Sequence, residues 1–470
     1  MRPSLPDPAA ALFPDAASRS RIGHWLVETL EAASRRVQAG PVTPTIDAQK
    51  FREELAAFDF KSPRALEEAV GWAIEQMEHG IVQMSNPRYF GLFNPGANFP
   101  AQVADQIVAL FNPQLASSAS SPVPVALEAH VIRSIASRAG FGPDATGHFA
   151  TGGSEANYTA LLCALTHANA GFARDGVRAF AGPVVFYTSR DCHIAWLKIA
   201  HQAGVGRAAL RLVETDGHGR MDPSALTRAI EEDRAAGKVP VMLVATAGTT
   251  GGGMIDPLDA CAEIAQRNGM WYHVDAAWGG AALASEKLRG LLAGIERADS
   301  LIIDAHKWLA TTMGCAIFIT RHGQVLSEAF HASTSFMPSS NSNLDPYLNS
   351  VQWSRRFTGL RLFLALAAAG WEGLGQHVER GVEVVERIKV RLLASGWTVA
   401  NDSKLAVLDA VPPPALGDVR ALVRRVVASG RAWVAPTLFE GRDVVRICAT
   451  NGETRDEDID ALVAALNTPP

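Results

Sequence analysis

Charge is scarce in this 470-residue chain: 19% of its residues are Asp, Glu, Lys or Arg, and the formal net charge is −5. A slightly acidic balance argues against a general nucleic-acid binder, which would carry a basic surface. Cysteine is scarcer still. Cys163, Cys192, Cys261, Cys315 and Cys448 are odd in number and far apart, so they offer neither a disulfide framework nor a paired metal-ligand spacing. That usage suits a reducing compartment, and the expected location is the cytoplasm, with no bound metal. The opening MRPSLPDPAAALFPD lacks the basic start and apolar run of a secretory leader. Nowhere does the chain offer the ~20 uninterrupted apolar residues of a membrane-spanning helix. No early GxGxxG and no GxxxxGK[ST] occurs, which removes the dinucleotide and P-loop readings.

What the chain does have is apolar mass, 48% of its residues, over a length that exceeds one core. So little charge on so large a chain points to surface covered by another copy of itself. Residues 1–85 read as an amphipathic helical segment, with Ile22, Trp25, Leu26 and Leu30 at helical spacing. Such a segment either wraps a partner subunit or caps its own domain. From 86 to 370, short apolar runs alternate with amphipathic stretches: Val184–Thr188, Ala209–Glu214, Val239–Ala247, Trp271–Ala277, Ser300–Ala305 and Cys315–Thr320. This pattern predicts an α/β domain around a mostly parallel sheet, with one antiparallel strand where the last pair is joined too closely for a helical crossover. Residues 371–470 read as a small α+β domain, with strands near 404–410, 431–435 and 443–449.

The candidate chemistry falls after these strands. Thr151–Asn157 reads TGGSEAN and opens a helix, so Gly152 and Gly153 allow close backbone approach, Ser154 offers a hydroxyl, and the helix start faces an anion. Taken alone, the same letters suit an ordinary helix cap. Asp275 ends the apolar strand in WYHVDAAWGG, where a carboxylate needs a cation or strong donors. A protonated pyridine nitrogen supplies one; capping the next turn is the plainer use. Ala277 is small enough to lie against a flat ring. Lys307, in DAHKW, follows another strand between His306 and Trp308, where desolvation makes a lysine amine a usable nucleophile. His306 is a candidate phosphate contact. His193 can stack on a ring and move protons, or be structural. Thr246 adds a hydroxyl at a strand end. A phosphate cup, a ring-facing Asp, a Schiff-base lysine and a stacking His in one domain favour pyridoxal 5′-phosphate over a nucleotide.

With TGGSEAN at 151–157, His193, VATAGTT at 244–250, HVDAAWGG at 273–280, HKW at 306–308 and SRRFTGLRLF at 354–363, the chain resembles the group II pyridoxal-phosphate-dependent amino acid decarboxylases. These include the aromatic amino acid, histidine, glutamate and cysteine sulfinate enzymes. The resemblance runs from about Asn86 to Phe363, with a weaker echo beyond. It implies the type I fold, with a mostly parallel seven-stranded sheet, and a homodimer with the active site between subunits. It implies Lys307 as the Schiff-base lysine, Asp275 as partner of the pyridine nitrogen, and His193 stacked on the ring. Gly153, Ser154 and His306 would contact phosphate; Thr246 and Ala277 would line the ring. The reaction implied is loss of CO2 from an L-amino acid, the sole small-molecule partner expected. Asp304 would bring charge where family members often have a neutral amide, so no direct phosphate role is expected of it.

One position departs from the pattern. Family members present a tyrosine, the proton donor to the substrate's α-carbon, 29 residues after the lysine, and here that register gives Phe336. Phenylalanine has no proton to give. The resemblance then implies decarboxylation with another donor (His193, His331 or water), a local slip that brings Tyr347 into place, or, as in some plant relatives, oxidative deamination to an aldehyde. Phe93, Trp196 and Phe336 are the candidate pocket residues, beside Tyr89, Phe90 and Trp278, and they favour an aromatic or other apolar substrate. An acidic one would need a cation, for which Arg88, Arg190, Arg355 and Arg356 are candidates.

Overall fold

Continuous apolar runs are stable as strands when both faces of a sheet are covered by helices, and seven of them form the central sheet here. The computed structural model describes residues 11–332 and 345–469. The strands are β1 (Thr146–Ala150), β2 (Val184–Ser189), β3 (Leu210–Val213), β4 (Val239–Thr246), β5 (Trp271–Asp275), β6 (Ser300–Asp304) and β7 (Ala316–Thr320). Their order is β1-β7-β6-β5-β4-β2-β3. β7 pairs antiparallel with both β6 and β1, and every other pairing is parallel. Six strands therefore deliver their C-terminal ends to one edge. That edge is where ligands collect in open α/β sheets.

Sequence reading located six of these strands to within a residue or two at most ends, and missed β1. In TGHFA only Phe149 and Ala150 read as apolar, yet the strand seals the sheet's edge. Gly147 is needed there, because a Cβ would come 1.9 Å from the Phe318 carbonyl oxygen across the β1–β7 pairing. The antiparallel strand inferred from the short β6–β7 connection is β7.

A 36-residue helix, Gly359–Ala394, leaves this domain and is broken at Gly370, whose φ of 64° and ψ of −179° are not helical. Beyond it, β8 (Thr398–Val399), β9 (Val407–Val411), β10 (Ala435–Phe439) and β11 (Arg442–Cys448) form a second sheet, order β10-β11-β9-β8, all antiparallel. Helix Val419–Ala428 packs on β10 and β11 and the 36-residue helix on β8 and β9, with helix Asp456–Leu466 against both helices. β10 starts four residues later than the expected 431, since Pro436 and alternating burial disguise it as a loop. At the N-terminus, helices Ala16–Ala39, Ala48–Ala56 and Leu66–Gly80 precede the sheet. The turn after the first is tied to the small domain of the same chain: Val42 N donates to the Gly430 carbonyl at 2.9 Å. Among the described residues no helix is long and apolar enough to cross a membrane.

Candidate active site

A cavity of about 360 Å³ opens at the shared strand edge. Gly153, Ser154, His193, Thr246, Asp275, Ala277, His306 and Lys307, eight positions spread over more than 150 residues of chain, all line it, with Phe93 at its wall.

Asp275 closes β5 and is 5% exposed. Its Oδ2 accepts from Asn157 Nδ2 at 2.8 Å and its Oδ1 from the Ala277 backbone N–H at 3.2 Å. Both donors are neutral, so the buried carboxylate keeps an unmet preference for a cationic N–H. Asn157 went unnoticed in the sequence, where it passes as one more residue of the helix Gly153–Ala168. His193 follows β2, and its Nδ1 accepts from the Ala195 backbone N–H at 3.2 Å, which fixes the ring. Burial holds its pKa below the usual histidine range, with Asp275 pushing the other way and Lys307 adding to the depression. Thr246 Oγ1 is buried without a hydrogen-bond partner.

Lys307 sits in a turn fastened from two sides. Asn94 Nδ2 donates to the His306 carbonyl, Asn98 Nδ2 to Leu309, and Asn98 N–H to Ala310, which adopts a φ of 54°. On the far side Arg361 Nη1 donates to the carbonyls of Met313 and Gly314 while its guanidinium also bonds Asp105. Lys307 Nζ lies 3.0 Å from Asp304 Oδ2, and His306 Nε2 is 3.9 Å from the same oxygen. Asp304 is thus the counter-ion of Lys307, a pairing that an Asp three residues earlier at a strand end could have signalled. Its Oδ1 is buried without a partner. The carboxylate also abuts the anion cup: a Cβ on Gly153 would lie 2.9 Å from Asp304 Oδ2. The cup itself is braced by Glu155, whose Oε2 accepts from Thr151 N–H and Oγ1.

Several aromatic expectations need correction. Trp196 does not line the cavity; the helix Ala195–Gln202 turns it inward, where it is fully buried against Phe186 and edge-on to His273. Tyr89 packs on Trp433 and Phe90 is in the main core. Tyr347 is buried against Trp353, outside the cavity lining. Phe336 lies outside the described residues. Phe93 and Trp278 do form the wall, with ring centroids 4.4 Å apart, and Trp278 stacks on Trp308 at 4.6 Å. The arginines weighed for an acidic substrate are engaged elsewhere: Arg88 with the Gly40 carbonyl, Arg190 with Glu214, Arg355 with Glu128, Arg356 with Asp105.

Pyridoxal phosphate fits this donor set. A helix start bears on one end for the phosphate. Thr246 Oγ1 lacks a partner, a lysine amine is present, and a buried carboxylate is served only by neutral donors.

Comparison with known proteins agrees. The model of the pyridoxal-dependent decarboxylase conserved domain matches residues 60–400. The aromatic-L-amino-acid decarboxylase of Bacillus atrophaeus is 28% identical over 93% of this chain and 92% of its own. The cysteine sulfinic acid decarboxylase of Mus musculus is 35% identical over 67% of this chain and 65% of its own. The solved structure of Oryza sativa TDC with PLP and tryptamine superposes with a TM-score of 0.89 at 24% identity, covering 97% of this chain and 98% of that one, which shows a shared fold. With that fold, that domain and this cavity, the chain belongs to the pyridoxal-dependent decarboxylase family and is a pyridoxal-phosphate-dependent carboxy-lyase acting on an amino acid.

Proposed function

We propose that the substrate is an L-amino acid with an aromatic or other apolar side chain, converted to CO2 and the amine. The observation that carries this reading is the cavity wall: among the described residues lining it, Lys307 is the sole Lys or Arg. Phe93 and Trp278 supply flat apolar surface instead. Arg446, which lies over the Phe93 ring at 5.2 Å, spends its guanidinium on the carbonyls of Thr250 and Gly91. A distal carboxylate would go unpaired in such a pocket, at a cost that an aromatic side chain avoids.

When bound, the cofactor supplies an electron sink for the pair left at the α-carbon as CO2 departs. The chain does the rest. Lys307 is the attachment point and Asp304 balances its charge until then. Asp275 would hold a proton on the ring nitrogen, and the helix start at Gly153 would hold the phosphate. Conversion of the zwitterion to the ammonium product and CO2 consumes one proton, delivered to the α-carbon. His193, lining the cavity, is the described residue suited to carry it, taking the proton from water and passing it on as imidazolium.

The chain is proposed to act as a homodimer, because apolar side chains on the helix Phe99–Phe111 and beside the cavity, at Ile194 and Met313, face outward in the single chain. A second reading, oxidation of the decarboxylated substrate by O2 to an aldehyde with ammonia and H2O2, is favoured by Phe336 alone. The test incubates the cofactor-loaded enzyme with aromatic, acidic and small amino acids under air and under argon, measuring CO2, amine, aldehyde and peroxide. Amine and CO2 in equal amounts from aromatic substrates, in either atmosphere, is the expected result. Turnover confined to acidic substrates overturns the substrate class, and O2-dependent aldehyde matched by peroxide establishes the second reading in place of the first.

A further inference from the structure

Asp275 is the terminus of a buried hydrogen-bond chain in which every proton points the same way. Asn157 donates its Nδ2–H to Asp275 Oδ2 at 2.8 Å, which turns its Oδ1 toward His273 Nε2 at 2.9 Å. The reverse amide orientation would set oxygen against carboxylate with no hydrogen between them. An amide oxygen only accepts, so His273 carries its proton on Nε2. Nδ1 of the same ring is then an acceptor and takes the hydroxyl proton of Ser300, whose Oγ is 2.8 Å away. Ser300 Oγ in turn accepts the indole N–H of Trp271 at 2.8 Å. Burial pushes the His273 pKa down to about 4, in keeping with a neutral ring.

The fold builds this chain from its own periodicities. Trp271, His273 and Asp275 alternate along β5 and so share one face of the sheet. Ser300 is the residue paired with His273 across the β5–β6 ladder. Asn157 comes down onto that face from the helix Gly153–Ala168, one turn after Gly153 at the cup. All four relay residues are at most 3% exposed. Burying four polar side chains in a line is costly unless each is satisfied, and here each is satisfied in the one direction that ends on the carboxylate.

We propose that Asn157, His273, Ser300 and Trp271 are positioning residues that fix the orientation of the Asp275 carboxylate, and through it keep the cofactor's ring nitrogen protonated. This inference rests on the reading of Asp275 as partner of that nitrogen. Within the relay, His273 decides the direction, because its single proton commits both neighbours.

Two measurements test it. In the cofactor-free enzyme, 15N NMR of histidine-labelled protein should show His273 neutral and protonated on Nε2 between pH 5 and 8; the Nδ1–H tautomer or an imidazolium overturns the relay without reference to the cofactor. With 15N-labelled pyridoxal phosphate bound, Asp275→Asn should move the ring-nitrogen signal to its unprotonated position. Asn157→Leu and His273→Phe should move it part of the way and weaken cofactor binding about ten- to a hundredfold, the worth of a hydrogen bond to a charged group. His273→Gln, whose Nε2 replaces the lost donor, should restore the wild-type signal. If Asp275→Asn shifts the nitrogen while Asn157→Leu and His273→Phe do not, the relay is wrong and the Asp275 assignment stands. If Asp275→Asn leaves the signal unmoved, the assignment beneath the relay fails with it. Should the Asn157 and His273 variants not fold, Ser300→Ala at the distal end decides: a smaller shift in the same direction supports the relay, and an unmoved signal overturns it.

Discussion

A methyl group on Gly153 would meet both oxygens of Asp304, at 2.9 and 3.1 Å. The cup and the lysine's counter-ion therefore compete for one small volume, and glycine is the residue that lets both exist. Gly153→Ala is expected to cost about 1–3 kcal/mol, the usual range for overpacking, and to push the carboxylate away from Lys307. Asp304→Ala should remove most of that penalty, so thermal unfolding of the two single variants and the double variant should reveal strong coupling. Independent, additive effects would mean the carboxylate is displaced at no cost. At this scale the sequence was legible where a residue's place in the cavity follows from its position at a strand end, as with Lys307 and Asp275. It was not legible where the role is set by a partner far along the chain: Asn157 meets Asp275 across 118 positions, and Gly153 meets Asp304 through space. Trp196 misled for the converse reason, since three residues after His193 the helix has already turned its side chain into the core.

Among the elements, β9 and β11 carry an unusual pair. Asp409 stands opposite Arg446 in the ladder, fully buried, with neither carboxylate oxygen hydrogen-bonded. Burial pushes its pKa up to about 8, against the pull of Arg446. The folded chain thus keeps a proton that the unfolded chain gives up near pH ~3.9. Its contribution is fully present below that pH and is lost as pH rises toward 8, because the folded state binds more protons throughout the interval. Asp409→Asn should remove this slope: in urea unfolding from pH 4 to 8, the stability difference between variant and wild type should shift in the variant's favour as pH rises. A constant difference would place the ionised carboxylate comfortably in the fold. Elements announced themselves in the sequence when their apolar runs were unbroken, as in β4 and β6. β1 and β10 did not, because Gly147 and Pro436 answer to a neighbouring backbone and to an edge position, neither of which leaves a local trace.

For the whole molecule, the outward apolar residues demand an occupant. Phe99, Leu110 and Phe111, on the helix Phe99–Phe111, are 65%, 79% and 74% exposed in the single chain. Exposed patches of this kind mark association surfaces. Sedimentation of the wild type should give twice the chain mass of 50.1 kDa, and the double substitution Leu110→Glu/Phe111→Glu should return it to the monomer value. A variant that keeps the doubled mass would assign the interface to another face.

The common direction of six strands has a consequence for how such a chain can change. Groups scattered between Gly153 and Lys307 are gathered along one rim, across sheet spacings of about 4.8 Å per strand. Among the described residues, the opposite rim holds the returns from helix to strand, such as 235–239, 267–271 and 297–300, together with the outgoing end of β7. Residues added there lengthen a connector and alter no distance between reacting groups. The architecture separates where the chain is chemically exacting from where it is historically free, so new surfaces can be acquired at the far rim while the reaction at the near one is left as it was.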